Sequence, residues 1–153
     1  LERSIPRKLR AWREPGVSFV IVRDNDGGDC RVLKRKLRRL CREGGRKDAL
    51  VRIACQELEA WYLGDPDGLE QAYGDHALRP LRTKARFRNP DAVVQPSKVL
   101  EELLPEFQKV SGARLMAGVL SREHNTSASF RVFIDGVERE ARAMAGRAPR
   151  AAG

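Results

Sequence analysis

Four carboxylates and one ammonium carry the types and spacing that could do chemistry: Asp24 and Asp26, Glu57 and Glu59, and Lys98. The first pair closes the run Val17-Ser-Phe-Val-Ile-Val-Arg-Asp-Asn-Asp26 and opens onto Gly27-Gly28-Asp29. If the backbone is still extended there, both carboxylates project to one side, roughly 7 Å apart. Hard oxygen ligands in that arrangement suit Mg²⁺ (or Mn²⁺), which takes one or two carboxylates and leaves its other positions to water and phosphate oxygens. The second pair lies in Gln56-Glu-Leu-Glu-Ala-Trp61, directly after another apolar run. Its members share a side only in extended chain; in a helix they diverge by about 200°. Glu57 stands nearer the strand end, so Asp24, Asp26 and Glu57 form the expected metal set. Glu57, Glu59 and Lys98 form the expected catalytic set, two for proton transfer and one for charge developing on phosphate. Plainer accounts compete for each. Asp, Asn and Gly are turn formers, acids in a first helical turn complement the helix dipole, and a lysine can simply cover a helix start.

These groups converge only if the surrounding elements bring them together. Val17–Val22, bounded by Gly and Asp, reads as a short strand buried on both faces. Residues 31–43 form a helix, with Leu33, Leu37, Leu40 and Cys41 on one stripe and six basic residues around it. Asp29 is its N-cap and Gly44-Gly45 its stop. A second strand follows at Ala49–Ala54, and strand–helix–strand packs as a right-handed βαβ crossover with parallel strands. Ligand sites then lie beyond the carboxyl ends of those strands, where the acidic residues fall. Further helices are expected near 1–15, 56–63, 69–73, 96–104, 112–121 and from Thr126-Ser127 onward. Residues 79–96 show no period. Trp61 reads as core, and Ser127 and Ser129 as helix-start residues.

Composition narrows the setting. The chain has 153 residues, enough for one domain with a sizeable core. Its 41% hydrophobic content argues against disorder, and its net charge of +9 favours a polyanionic partner, DNA or RNA, through the basic surface. An arginine-rich proteome would produce the same excess. Three cysteines without short ligand spacing and two scattered histidines do not make a zinc site. Cys41 and Cys55 fall in apolar patterns and are expected in the core. The thiols are expected to be reduced and the address cytoplasmic. No apolar stretch approaches the ~20 residues of a membrane span, and no signal peptide is visible.

Phe19-Val-Ile-Val-Arg-Asp-Asn-Asp26 with Cys30, followed by Val51-Arg-Ile-Ala-Cys-Gln-Glu-Leu-Glu-Ala-Trp-Tyr-Leu-Gly-Asp65, resembles a bacterial TOPRIM-like family. That family is catalogued as domain of unknown function forty-two seventy-six. Asn89-Pro-Asp91, Pro96-Ser-Lys98 and Ser127-Ala-Ser-Phe130 also fit it. The resemblance spans roughly residues 15–137 and implies a compact α/β TOPRIM-like (Rossmann-like) fold, a parallel sheet flanked by helices. It implies Asp24 and Asp26 as the Mg²⁺ pair, Glu57 and Glu59 as the second acidic motif, and a P-loop ATPase partner in a defence system. TOPRIM proteins also carry a catalytic glutamate on an earlier strand. Glu2 and Glu14 lack that context, so the chain is expected to lack the N-terminal strand or to have a degenerate site. The expected organisation is a helix or linker over 1–16, the domain over 17–145 and a frayed tail over 146–153.

The expected function is a Mg²⁺-dependent nucleic-acid phosphodiesterase. The alternatives are a non-catalytic module that binds nucleic acid or the ATPase, and a phosphohydrolase with Asp24 as nucleophile.

Overall fold

The computed structural model describes residues 2–12 and 14–147. The chain is α/β, with a small two-stranded parallel sheet flanked by helices. Contacts divide it into two compact units: Leu1–Arg23 with Asp29–Ile53 and Phe133–Gly153, and Asp24–Gly28 with Ala54–Val132.

The first unit holds the βαβ element apart from the last residue of each strand and the loop 25–28, which belong to the second. Strand β1 (Val20–Asp24) and strand β2 (Leu50–Ala54) are neighbours, joined through helix α2 (Cys30–Glu43). Asp29 caps α2 as expected: its Oδ1 accepts the N–H groups of Arg31 (2.7 Å) and Val32 (2.9 Å). Gly44 is the C-cap, and Gly45 takes φ +77°, the left-handed turn that a glycine makes at least cost. The stripe read from the sequence does the packing. Leu37 and Cys41 of α2 meet Ile5 and Leu9 of helix α1 (Ile5–Ala11) and Val51 of β2, with Leu33 and Leu40 at the edge. The opposite face of α2 leaves Arg31, Arg35, Lys36, Arg38, Arg39 and Arg42 exposed. One expectation fails. β1 is half-buried rather than buried on both faces, and Val20 is 39% exposed. Among the described residues its only strand neighbour is β2, so its other edge has no strand against it.

The second unit is helical. It contains α3 (Glu59–Leu63), α4 (Pro66–Tyr73), α5 (Pro96–Leu103), α6 (Lys109–Ala117) and the first turn of α7 (Ala128–Arg147). The aperiodic stretch resolves into 3-10 turns at His76–Arg82, Ala85–Phe87 and Pro90–Ala92, each too short to show a period in sequence. Leu78, Leu81 and Phe87 anchor the first two turns in the core. Helix α6 begins three residues before its expected start, and Leu115 is 46% exposed. Its close packing runs instead through Gly112, where a Cβ would lie 2.6 Å from Phe107 and 2.9 Å from the Tyr73 hydroxyl. Helix α7 continues past the expected fraying point to Arg147; the rest of that tail lies outside the described residues. Cys41 is buried as expected, but Cys55 is only half-buried.

Candidate functional site

The ends of β1 and β2 are fastened to each other by backbone and by one amide side chain. Asn25 N donates to Ala54 O (3.2 Å) and Asp26 N to Gln56 O (3.0 Å). The Asn25 side chain accepts from Gln56 N (2.5 Å) and donates to Gly28 O (2.5 Å), closing the acidic turn. Three non-glycine residues among those described take positive φ: Asp26 (+47°), Gln56 (+63°) and Gln95 (+50°). Such backbone costs on the order of 1–3 kcal/mol per residue and concentrates at functional sites. All three border the acidic residues. Asp26 and Gln56 are bonded to each other, and Gln95 immediately precedes α5, whose Ser97 N donates to Glu57 Oε2 at 3.0 Å.

The extended geometry that would set Asp24 and Asp26 side by side does not carry through. β1 ends at Asp24, which is half-buried; Asp26 is exposed in the left-handed turn. The turn-forming tendency of Asn-Asp-Gly wins over strand alternation at that position. The charge of Asp24 reaches the second acidic motif. Glu59 is 6% exposed, and burial pushes its carboxyl above the ordinary range. Its own backbone N–H and then Lys109, whose Nζ lies 3.7 Å from Glu59 Oε1, offset part of that rise, and the charges of Glu57 and Asp24 add to it. The same field reaches Tyr62, whose hydroxyl is pushed up by burial first and then by Glu59, Tyr73 and Asp24. Glu59 opens α3, so it diverges from Glu57 as a helix requires, yet both remain within reach of one another's charge.

Glu57 is held at the start of α5, where backbone N–H groups and the helix dipole favour a carboxylate. That contact orients one oxygen towards Ser97. Lys98, the next residue, is exposed in the first turn of α5. Among the described residues, no group of three His, Cys, Asp or Glu side chains is gathered closely enough to hold a metal ion. The structure therefore relates Asp24, Glu57 and Glu59 by charge and sets Asp26 in the exposed turn.

Sequence reasoning missed Lys109, Tyr62, and Asn25 and Gln56 as the clasp between strands. Lys109 lies fifty residues from Glu59, and no local pattern announces the pairing. Gln56 had a signal only in its position between a strand and an acidic helix start. Trp61 is core as expected: it is 4% exposed, its Nε1 donates to Ser129 Oγ (2.8 Å), and its ring meets Phe130 at 5.5 Å. Ser127 caps α7 by accepting Phe130 N at 3.1 Å. The Asn-Pro-Asp and Ser-Ala-Ser segments also meet: Asp91 accepts from Ser127 Oγ (2.6 Å), Ser129 N (2.8 Å) and Ser129 Oγ (2.9 Å).

Fold and site together define an α/β protein with acidic residues where two parallel strands end. The family model described as domain of unknown function (DUF4276) matches residues 3–138, and the chain belongs to that family. No curated protein and no solved structure matches it. Among the described residues, no helix is long and apolar enough to cross a membrane.

Proposed function

We propose that this chain is a TOPRIM-like, Mg²⁺-dependent phosphodiesterase acting on DNA or RNA. The observation that carries the reading is the raised carboxyl of Glu59 beside the charges of Asp24 and Glu57 at the strand ends. Burying one carboxyl among others is costly for a fold and useful for proton transfer, because it moves an acid towards neutral pH. Mg²⁺ needs only one or two carboxylates, and Asp24 and Glu57 are the residues that would hold it. Asp26, exposed in the turn, would offer the ion a further oxygen. A cation bound there supplies Lewis-acid polarisation of a phosphoryl oxygen.

The chain's own residues supply the rest. Glu57, oriented by Ser97 N–H, presents its other oxygen as a ligand. Glu59 retains a proton more readily than an ordinary carboxyl, and gives it to the leaving oxygen or takes one from water. Lys109 limits how far Glu59 rises. Lys98 offers positive charge to the phosphate. The exposed arginines of α2 and the net charge of +9 supply affinity for a phosphate backbone. A P-loop ATPase partner and a place in a defence system, both implied by the resemblance, belong to the same reading.

The test is cleavage of plasmid DNA and single-stranded RNA with Mg²⁺ or Mn²⁺. Asp24→Asn should abolish product while nucleic-acid binding persists. Cleavage by Asp24→Asn at the unsubstituted rate refutes the assignment. The lack of a three-ligand group among the described residues favours one other reading, a nucleic-acid-binding module without catalysis. It is distinguished by binding that weakens steeply with salt and by no heat of Mg²⁺ binding in calorimetry.

A further inference from the structure

A second feature of the helical unit lies at the far end of α3 from Glu59. Asp65, only 1% exposed, caps α4 and has both carboxylate oxygens committed. Oδ1 accepts Gly68 N (3.0 Å) and Oδ2 accepts Ser121 N (2.7 Å). The second bond pins the loop before α7 to the start of α4. Asn125, also 1% exposed, adds another clasp: its Nδ2 donates to Trp61 O (2.8 Å) and its Oδ1 accepts Ser127 N (2.8 Å). Thr126 N donates to Gly64 O at 2.8 Å. There is no slack here, since a Cβ on Gly64 would lie 2.4 Å from Asn125 Oδ1. The loop carrying His124 and Thr126 is thus held in place by buried bonds. Beside it opens a cavity of about 400 Å³, within the range of small-molecule sites.

The lining of this cavity has a definite chemistry. Its basic side chains are the guanidinium groups of Arg82 and Arg88 and the imidazole of His124; its apolar members are Pro66 and the largely buried Phe87. Two acids, Asp65 and Asp67, also line it and formally balance the two arginines, so what matters is how each group is already engaged. Asp65 is already satisfied by two N–H groups, and Asp67 is paired with Arg82. Among the described residues, no ion pair or side-chain hydrogen bond engages the Arg88 guanidinium. A guanidinium fork suits phosphate oxygens in bidentate fashion, and an imidazole N–H adds a third donor direction. The Arg88 guanidinium, with an imidazole and an apolar side chain in the same cavity, suits a phosphate monoester borne on a flat ring.

We propose that the cavity lined by Arg82, Arg88, His124 and Phe87 binds a terminal phosphate monoester of a nucleotide. The group is either a free nucleoside 5′-monophosphate or the 5′-phosphate end of a nucleic-acid strand. The site is separate from the acidic residues at the strand ends and does not depend on catalysis there.

Calorimetry on the full chain with adenosine 5′-monophosphate, adenosine, and a tetranucleotide with a 5′-phosphate or a 5′-hydroxyl tests this. Adenosine 5′-monophosphate should bind at least about tenfold more tightly than adenosine. Arg88→Ala should weaken its binding by about tenfold or more, and Arg88→Lys should recover part of the loss. Arg88 is exposed, so neither variant threatens folding. Tighter Arg88-dependent binding of the 5′-phosphorylated tetranucleotide than of the monophosphate assigns the site to strand ends; the reverse order assigns it to free nucleotides. Equal affinity for adenosine and its monophosphate, no binding of either, or indifference to Arg88→Ala overturns the proposal. Asp24→Asn should leave this binding unchanged, so loss of the cleavage reading and loss of this one are told apart.

Discussion

Two sets of carboxylates in the helical unit face opposite circumstances. Asp65 and Asp91 are surrounded by donors: two backbone N–H groups for one, and two hydroxyls and a backbone N–H for the other. Glu59 is buried, accepts one bond from its own backbone N–H, has one lysine at 3.7 Å and feels the negative charges of Glu57 and Asp24. The first arrangement holds helix starts and loops in place. The second opposes ionisation and gives the fold little in return. Several donors around a carboxylate stabilise its charge and the elements that supply them, whereas burial beside other carboxylates opposes its ionisation.

Substitution should separate the two sets. Asp65→Ala strands two buried N–H groups and should cost about 2–5 kcal/mol in denaturant unfolding; a loss under about 1 kcal/mol would deny Asp65 its architectural role. Glu59→Gln keeps the shape and removes the charge. Under the proposed function it should lower cleavage by about 100-fold or more, with folding stability at neutral pH unchanged or improved. A marked destabilisation by Glu59→Gln would move Glu59 into the architectural set. Ser127→Ala, which removes a cap and one donor to Asp91, should cost about 1 kcal/mol, read by thermal unfolding.

The smallest effect is on pH dependence, and its sign is fixed by the raised Glu59 carboxyl. The folded chain binds that proton more tightly than the unfolded chain. Its stabilising contribution is full below the ordinary carboxylate pKa and is lost as pH climbs from there through the raised value. The slope of stability against pH in that window should therefore be shallower in Glu59→Gln than in the unsubstituted chain. Identical slopes would mean that Glu59 titrates normally.

Much of the βαβ unit was legible because its signals are local. Asp29 as a cap, Leu37 and Cys41 on one stripe and Gly45 in a left-handed turn each follow from neighbouring residues. The two acidic motifs were legible as motifs, being placed directly after apolar runs. What they do with each other was not. Whether Asp26 continues the strand depends on a contest between alternation and turn formation, settled by the bonds from Asn25 and Asp26 to residues beyond position 53. Lys109, Tyr62 and the clasps of Asp65 and Asn125 are partnerships across dozens of residues, which periodicity cannot register. The misplaced start of α6 has a similar origin: Gly112 is chosen for close approach to Phe107 and Tyr73, not for its place in an apolar stripe.

The sharpest measurement is an NMR titration of the Glu59 carboxyl carbon, with and without Mg²⁺ and in Asp24→Asn. A pKa above the ordinary glutamate range, lowered both by Mg²⁺ and by removal of the Asp24 charge, is the predicted result. An ordinary titration that neither change moves would contradict the view that these three carboxylates form one site.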